Sequence, residues 1–111
     1  MNFSKTIYLS LALVFITRDL MIVSFGSKTT EKIWNGEAVR KIPIKVQQIG
    51  RRKLRMINNS QNWSDLRIPP SNKPEKLKGT DFFSIRINKQ WRIVFRWLEN
   101  QAHEVEISDY H

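Results

Sequence analysis

The sequence predicts an α+β fold: two N-terminal helices packed on a small, mostly antiparallel β-sheet. Three observations carry that prediction. Residues 82–107 alternate apolar and polar side chains in three short runs, the period of half-buried strands. Residues 43–58 place apolar side chains at three- and four-residue intervals, the period of an amphipathic helix. A loop holding Pro69, Pro70 and Pro74 separates the two regimes, since consecutive prolines exclude both helix and central strand.

The strands are the most regular part. Phe83, Ile85 and Ile87 share one face, with Phe82, Ser84 and Arg86 opposite. Trp91, Ile93, Phe95 and Trp97 then alternate with Arg92, Val94 and Arg96, and a third run covers residues 103–107. Aromatic and β-branched residues dominate these runs, as strands require. Asn88, Lys89 and Gln90 form a hairpin loop without the usual glycine. The resulting meander has one apolar face, anchored by Trp91 and Trp97, and one face carrying a row of arginines. Such a row is either a solvated surface or a binding surface.

Earlier in the chain, Ile22 to Phe25 reads as a first strand, and Thr29 or Thr30 as the N-cap of a short helix ending at Asn35 and Gly36. Pro43 suits the first turn of the second helix and residues 58–60 its end. Gly50 weakens that helix by up to about 1 kcal/mol relative to alanine. Its polar face carries Arg51, Arg52 and Arg55, with Lys53 at the edge, a cationic cluster suited to positioning phosphates or a partner. Trp63 to Leu66 forms a short turn against this helix.

Residues 1–20 differ from the rest. An apolar stretch from Ile7 to Ile16 follows Lys5, like a signal-peptide core, but Arg18 and Asp19 stand where a cleavage site would be needed. The stretch is also well short of the ~20 residues that span a bilayer. Two units are expected: an upstream extension over 1–20, with Met21 as the start of the protein, and a core domain over 21–111. Removing the extension takes away Lys5, Arg18 and Asp19, leaving 17 basic and 9 acidic groups, so the domain keeps most of the net charge of +9.

An excess of that size concerns partners, and for a small basic domain nucleic acid is the commonest. The chain has no cysteine and only two histidines, His103 and His111, so no disulfide framework, metal centre or cofactor is expected. Cutting RNA without a metal needs groups that move protons and fixed cations aimed at one phosphate. Lys78, Arg86, Arg92, Arg96, Asp109, Tyr110 and His111 supply those types, with three proton-capable residues together at the end of the sequence. Taken singly, each also fits an ordinary turn, strand face or tail.

Their combination is more specific. Met21 to Phe25, Leu77-Lys78-Gly79, the run from Phe83 to Phe95 around Trp91-Arg92-Ile93, and the closing Asp109-Tyr110-His111 resemble the HigB toxins of bacterial toxin–antitoxin pairs, within the RelE superfamily. The resemblance covers essentially residues 21–111. It implies a RelE-like fold and a cytoplasmic, ribosome-dependent endoribonuclease that cleaves translated mRNA by 2′-OH attack. It implies Lys78 as a catalytic or phosphate-contacting cation, Arg92 as the stabiliser of charge on the scissile phosphate, and His111 in proton transfer. Tyr110 would stack on or orient the substrate, and Asp109 would hold a neighbouring side chain. Arg86, Arg96, Arg51, Arg52 and Arg55 would contact RNA. The implied partners are mRNA on the ribosome, including 16S rRNA, and a HigA-like helix-turn-helix antitoxin, with operator DNA reached only through that antitoxin and no membrane. The proline-rich loop and residues 1–20 depart from the family pattern. Two other readings use the same residues: a non-catalytic RNA- or ribosome-binding module, and an inactive toxin homologue acting with an antitoxin on DNA.

Overall fold

The computed structural model describes residues 21–110, so the extension expected over 1–20 and the side chain of His111 lie outside the described residues. Two helices precede the sheet: α1 (Lys28–Trp34) and α2 (Ile44–Asn59). Short 3₁₀ turns at Trp63–Arg67 and Pro70–Asn72 lead into four strands, β1 (Glu75–Lys76), β2 (Phe82–Arg86), β3 (Trp91–Leu98) and β4 (Gln101–Asp109). The strands pair antiparallel in sequence order. β1 was not expected: it is two residues long, too short to show alternation, and follows the prolines directly.

Register follows from local chemistry. Asn88 replaces the missing hairpin glycine, because its Oδ1 accepts from the backbone N–H groups of Gln90 and Trp91, both at 2.8 Å. Phe83 then faces Phe95, Ile85 faces Ile93, and Arg86 faces Arg92. Between β3 and β4, Glu99 and Asn100 both hold positive φ (53° and 62°), the turn that matches strand twist. A bulge follows, since Val94 pairs with Glu106 but Arg96 with His103, and Glu104 takes φ 53°.

That bulge corrects the expected first strand. Residues 21–25 run parallel to β4 but make only two isolated bridges, Ile22 to Ala102 and Phe25 to Val105. Between them the Glu104 N–H turns to the Ser24 hydroxyl at 2.9 Å, so a continuous ladder does not form. The start of α1 is also corrected. Ser27 is the N-cap, its Oγ accepting from Thr30 N at 3.1 Å. Thr30 is instead buried inside the helix, where its Oγ1 accepts from Ile107 N at 3.0 Å and ties α1 to β4.

α2 begins after Pro43 and lays Val46, Gly50, Leu54 and Ile57 on the sheet. Gly50 has a packing reason: a Cβ there would stand 2.9 Å from Ile107 Cδ1. Ile33, Leu54, Ile57, Ile85, Ile93, Phe95 and Val105 are wholly buried between the helices and the sheet. Trp63 closes one end, its ring 4.2 Å from Phe83. Among the described residues no helix is long and apolar enough to cross a membrane.

Candidate active site

Two arginines organise the polar side of the sheet. Opposed residues in an antiparallel pair project to the same face, so the Arg86–Arg92 register sets two guanidinium groups together at the loop end of the β2–β3 hairpin. They line an open cleft of about 420 Å³ with Lys73, Lys89 and Tyr110, and among the described residues Glu75 is its one acidic lining residue. Around Tyr110 the cleft adjoins a second hollow against Asn88, Lys89 and Gln90.

The two differ in how firmly they are held. Arg92 is 8% exposed, far from the solvated strand arginine that alternation alone suggests. Its Nε donates to Ser84 Oγ at 2.8 Å and its Nη2 to the Lys73 carbonyl at 2.6 Å. A guanidinium fixed in this way aims its remaining N–H groups without further loss of side-chain entropy. Among the described residues the ion pairs belong to Arg96, and none joins a carboxylate to Arg86 or Arg92.

The end of the chain reaches this pair through β4. Asp109 lies opposite Trp91, and its carboxylate accepts from Gln90 Nε2 at 3.2 and 3.3 Å. Tyr110 N donates to the Gln90 carbonyl at 2.6 Å, which sets the exposed Tyr110 ring beside the cleft. The hairpin loop therefore docks Asp109 and Tyr110 next to the arginines, while His111 lies outside the described residues.

The other candidates fall elsewhere. Lys78 is exposed on the turn before β2, beside Gly79 at φ 77°, and does not line the cleft. Arg96 is four residues beyond Arg92 along β3, roughly 13 Å at strand rise. It is engaged by Asp81 at 2.9 Å and Glu104 at 3.0 Å. The α2 arginines divide. Arg51 Nε donates to the Ile33 carbonyl at 2.8 Å, securing the end of α1, and lines a separate small groove with Ile44 and Gln47. Arg52 and Arg55 are exposed.

The Asp81–Arg96 pair anchors the segment that carries Lys78, since Trp97 N also donates to the Asp81 carbonyl at 3.3 Å. The hydrogen bond from Arg96 holds the Asp81 carboxyl below its ordinary range. A depressed carboxylate pKa contributes stability above the unfolded value, about 3.9, and loses it as pH falls through the folded value. Asp81→Asn is thus expected to melt below wild type at neutral pH, with the gap in Tm closing under acid conditions. The exposed pair makes that gap small. A gap independent of pH would show that the pair contributes nothing.

Sequence reasoning missed Lys73, Glu75 and Lys89, which the cleft gathers from a loop, an edge strand and a hairpin. It also left Lys53 at the edge of α2, whereas the structure buries it. The signal for Lys53 was present: it sits three residues after Gly50 and four before Ile57, on the apolar stripe. Burial, and then Arg52, Arg86 and Arg92, lower its pKa.

Comparison with known proteins places this geometry in a family. Residues 23–111 match the model for the RelE-like toxin of the type II toxin–antitoxin system HigB. The chain is 38% identical over 85 residues to Toxin HigB-1 of Vibrio cholerae serotype O1, covering 74% of this chain and 90% of that protein. It is 36% identical over 77 residues to an uncharacterized protein of Haemophilus influenzae, covering 68% of this chain and 76% of that one. A match over most of the chain, joined to a helix-backed antiparallel sheet, identifies it: the protein belongs to the HigB-like family of RelE-like toxins of type II toxin–antitoxin systems.

Proposed function

We propose that this toxin is a ribosome-dependent endoribonuclease that cuts translated mRNA at the Arg86–Arg92 cleft. The observation that carries the reading is the pair itself: two guanidinium groups, one buried and fixed, face an open cleft, and among the described residues no carboxylate forms an ion pair with either. In the reaction the ribose 2′-OH loses its proton and bonds to phosphorus as the P–O5′ bond breaks and the 5′-oxygen takes up a proton. The products are a 2′,3′-cyclic phosphate and a 5′-hydroxyl. Extra negative charge on the phosphate at the transition state falls to Arg92, with Arg86 opposite, because fixed donors cost no reorganisation during the step.

Tyr110 offers a ring for a base to stack on at the rim of the cleft. His111, one residue on, is the proton-transfer group of this scheme, as histidine titrates near neutrality. Asp109 orients the hairpin loop through Gln90. Lys78, outside the cleft, serves as a cation for flanking phosphates or 16S rRNA, together with Arg52 and Arg55. The protein acts in the cytoplasm, where ribosomes are, with a helix-turn-helix antitoxin as its partner. A non-catalytic ribosome-binding module would use the same arginines for phosphate contacts.

Inducible expression of the full chain beside His111→Ala tests the scheme, with growth scored and mRNA 5′ ends mapped. Growth arrest with new cuts in translated messages, absent in the variant, is the expected result. Arrest with cuts in both removes His111 from the chemistry. Soluble protein that causes neither arrest nor cuts leaves the binding-module reading.

A further inference from the structure

Lys53 and Arg92 are the buried charged side chains among the described residues, and Lys53 is 4% exposed. Its Nζ donates to the Arg86 carbonyl at 2.7 Å. The need for a donor there is clear. β2 carbonyls of even number face β1, as Phe82 O accepts from Leu77 N, and the pairing with β1 stops at Ser84. The Arg86 carbonyl lies beyond that point, so α2 supplies the bond that a longer β1 would have made.

A donor does not have to be charged. An amide would make the same bond, whereas an ammonium out of water costs several kcal/mol unless an anion offsets it. Among the described residues, the charges that lower its pKa are those of Arg52, Arg86 and Arg92, all of its own sign. Repulsion within such a group is relieved by an anion in the adjoining cleft. We propose that Lys53 is a positioning residue of the phosphate site, its buried charge strengthening the hold of Arg86 and Arg92 on an anion without touching it. This rests on the reading of that arginine pair as a phosphate site.

The same linkage sets a pH dependence. Burial and the three arginines hold the Lys53 amine below the ordinary lysine range, and a bound anion favours its charged form. Anion affinity is therefore highest with Lys53 protonated and falls as pH rises through its pKa. Among the described residues, the other ionisable groups lining the cleft are Lys73, Glu75, Lys89 and Tyr110.

The chain has Cys 0, so Lys53→Cys can be alkylated at one position. Done in denaturant before refolding, 2-bromoethylamine restores an ammonium at lysine length, and iodoacetamide leaves a neutral amide donor. Sulfate, a dianion from neutral to alkaline pH, is the probe, its affinity read from the rise in Tm at constant ionic strength. The ammonium adduct should bind sulfate as wild type does, and the amide adduct about tenfold more weakly, a modest screened charge effect. Equal affinities, or no sulfate binding by wild type, overturn the proposal while the mapped mRNA cuts still test the toxin reading separately. Should the amide adduct fail to refold, pH profiles decide. The thioether amine is a weaker base than lysine, so its affinity should fall at lower pH than in wild type. Coincident profiles assign the fall to a group other than Lys53, and overturn the proposal.

Discussion

Arg92→Ala is expected to slow mRNA cutting by about 10²–10³-fold, the usual loss when one fixed donor to a developing oxyanion is removed. The size follows from preorganisation. Ser84 and Lys73 hold the guanidinium at Nε and Nη2 before any substrate arrives, so its stabilising power is spent in the reaction and not on ordering itself. Arg92→Lys should recover little, because one ammonium nitrogen cannot stand at both the Nε and the Nη2 positions that meet Ser84 and the Lys73 carbonyl while also aiming at a phosphate. Single-turnover cleavage on ribosomes carrying a defined message measures the effect, with ribosome binding assayed alongside. Truncation also leaves the Lys73 carbonyl and Ser84 hydroxyl without their partner, at about 1–3 kcal/mol per group. Cleavage must therefore be compared at a temperature where the variant is folded. A folded Arg92→Ala protein that cuts at the wild-type rate removes this residue from the site.

Phe95→Ala is expected to lower stability by about 3–5 kcal/mol. Among the described residues Phe95 is the largest wholly buried side chain, with the rings of Trp63, Phe83 and Trp97 within 6.3 Å of its own. These neighbours belong to three separate elements, so the cavity cannot close by moving one of them. At about 4–8 °C per kcal/mol for a domain of this size, Tm should fall by at least ~12 °C. Denaturant melts of the free protein check it, since a bound antitoxin would add its own stabilisation. Phe95→Leu should recover much of the loss. A fall of under ~1 kcal/mol would mean that the ring cluster collapses around the gap.

How far the sequence alone can be read varies by element. Alternation in residues 82–97 names the faces of β2 and β3 correctly, because a period of two leaves no other arrangement once one face is buried. It does not show that Ser84 and Arg92, on the polar face, are buried as well. That depends on the segment around Lys73, whose prolines indicate only a loop. Helical spacing locates α2, yet not the reason for Gly50, which is its approach to Ile107 on the last strand. Ser27 and Thr30 are both ordinary capping residues, and only the contact with β4 separates the cap from the buried hydroxyl.

For the site, residue order alone supplied the chemical inventory: the strong positive charge, the arginines on alternate strand positions, and the run Asp109-Tyr110-His111. Those follow from residue type and short-range periodicity, which are local properties. Which cations meet was decided by the tertiary structure alone. It pairs Arg86 with Arg92, gives Arg96 to Asp81 and Glu104, leaves Lys78 outside the cleft and brings Lys53 from α2 to the Arg86 carbonyl. Each of those outcomes depends on strand register or helix–sheet packing between residues far apart in the chain, and no local pattern carries that information.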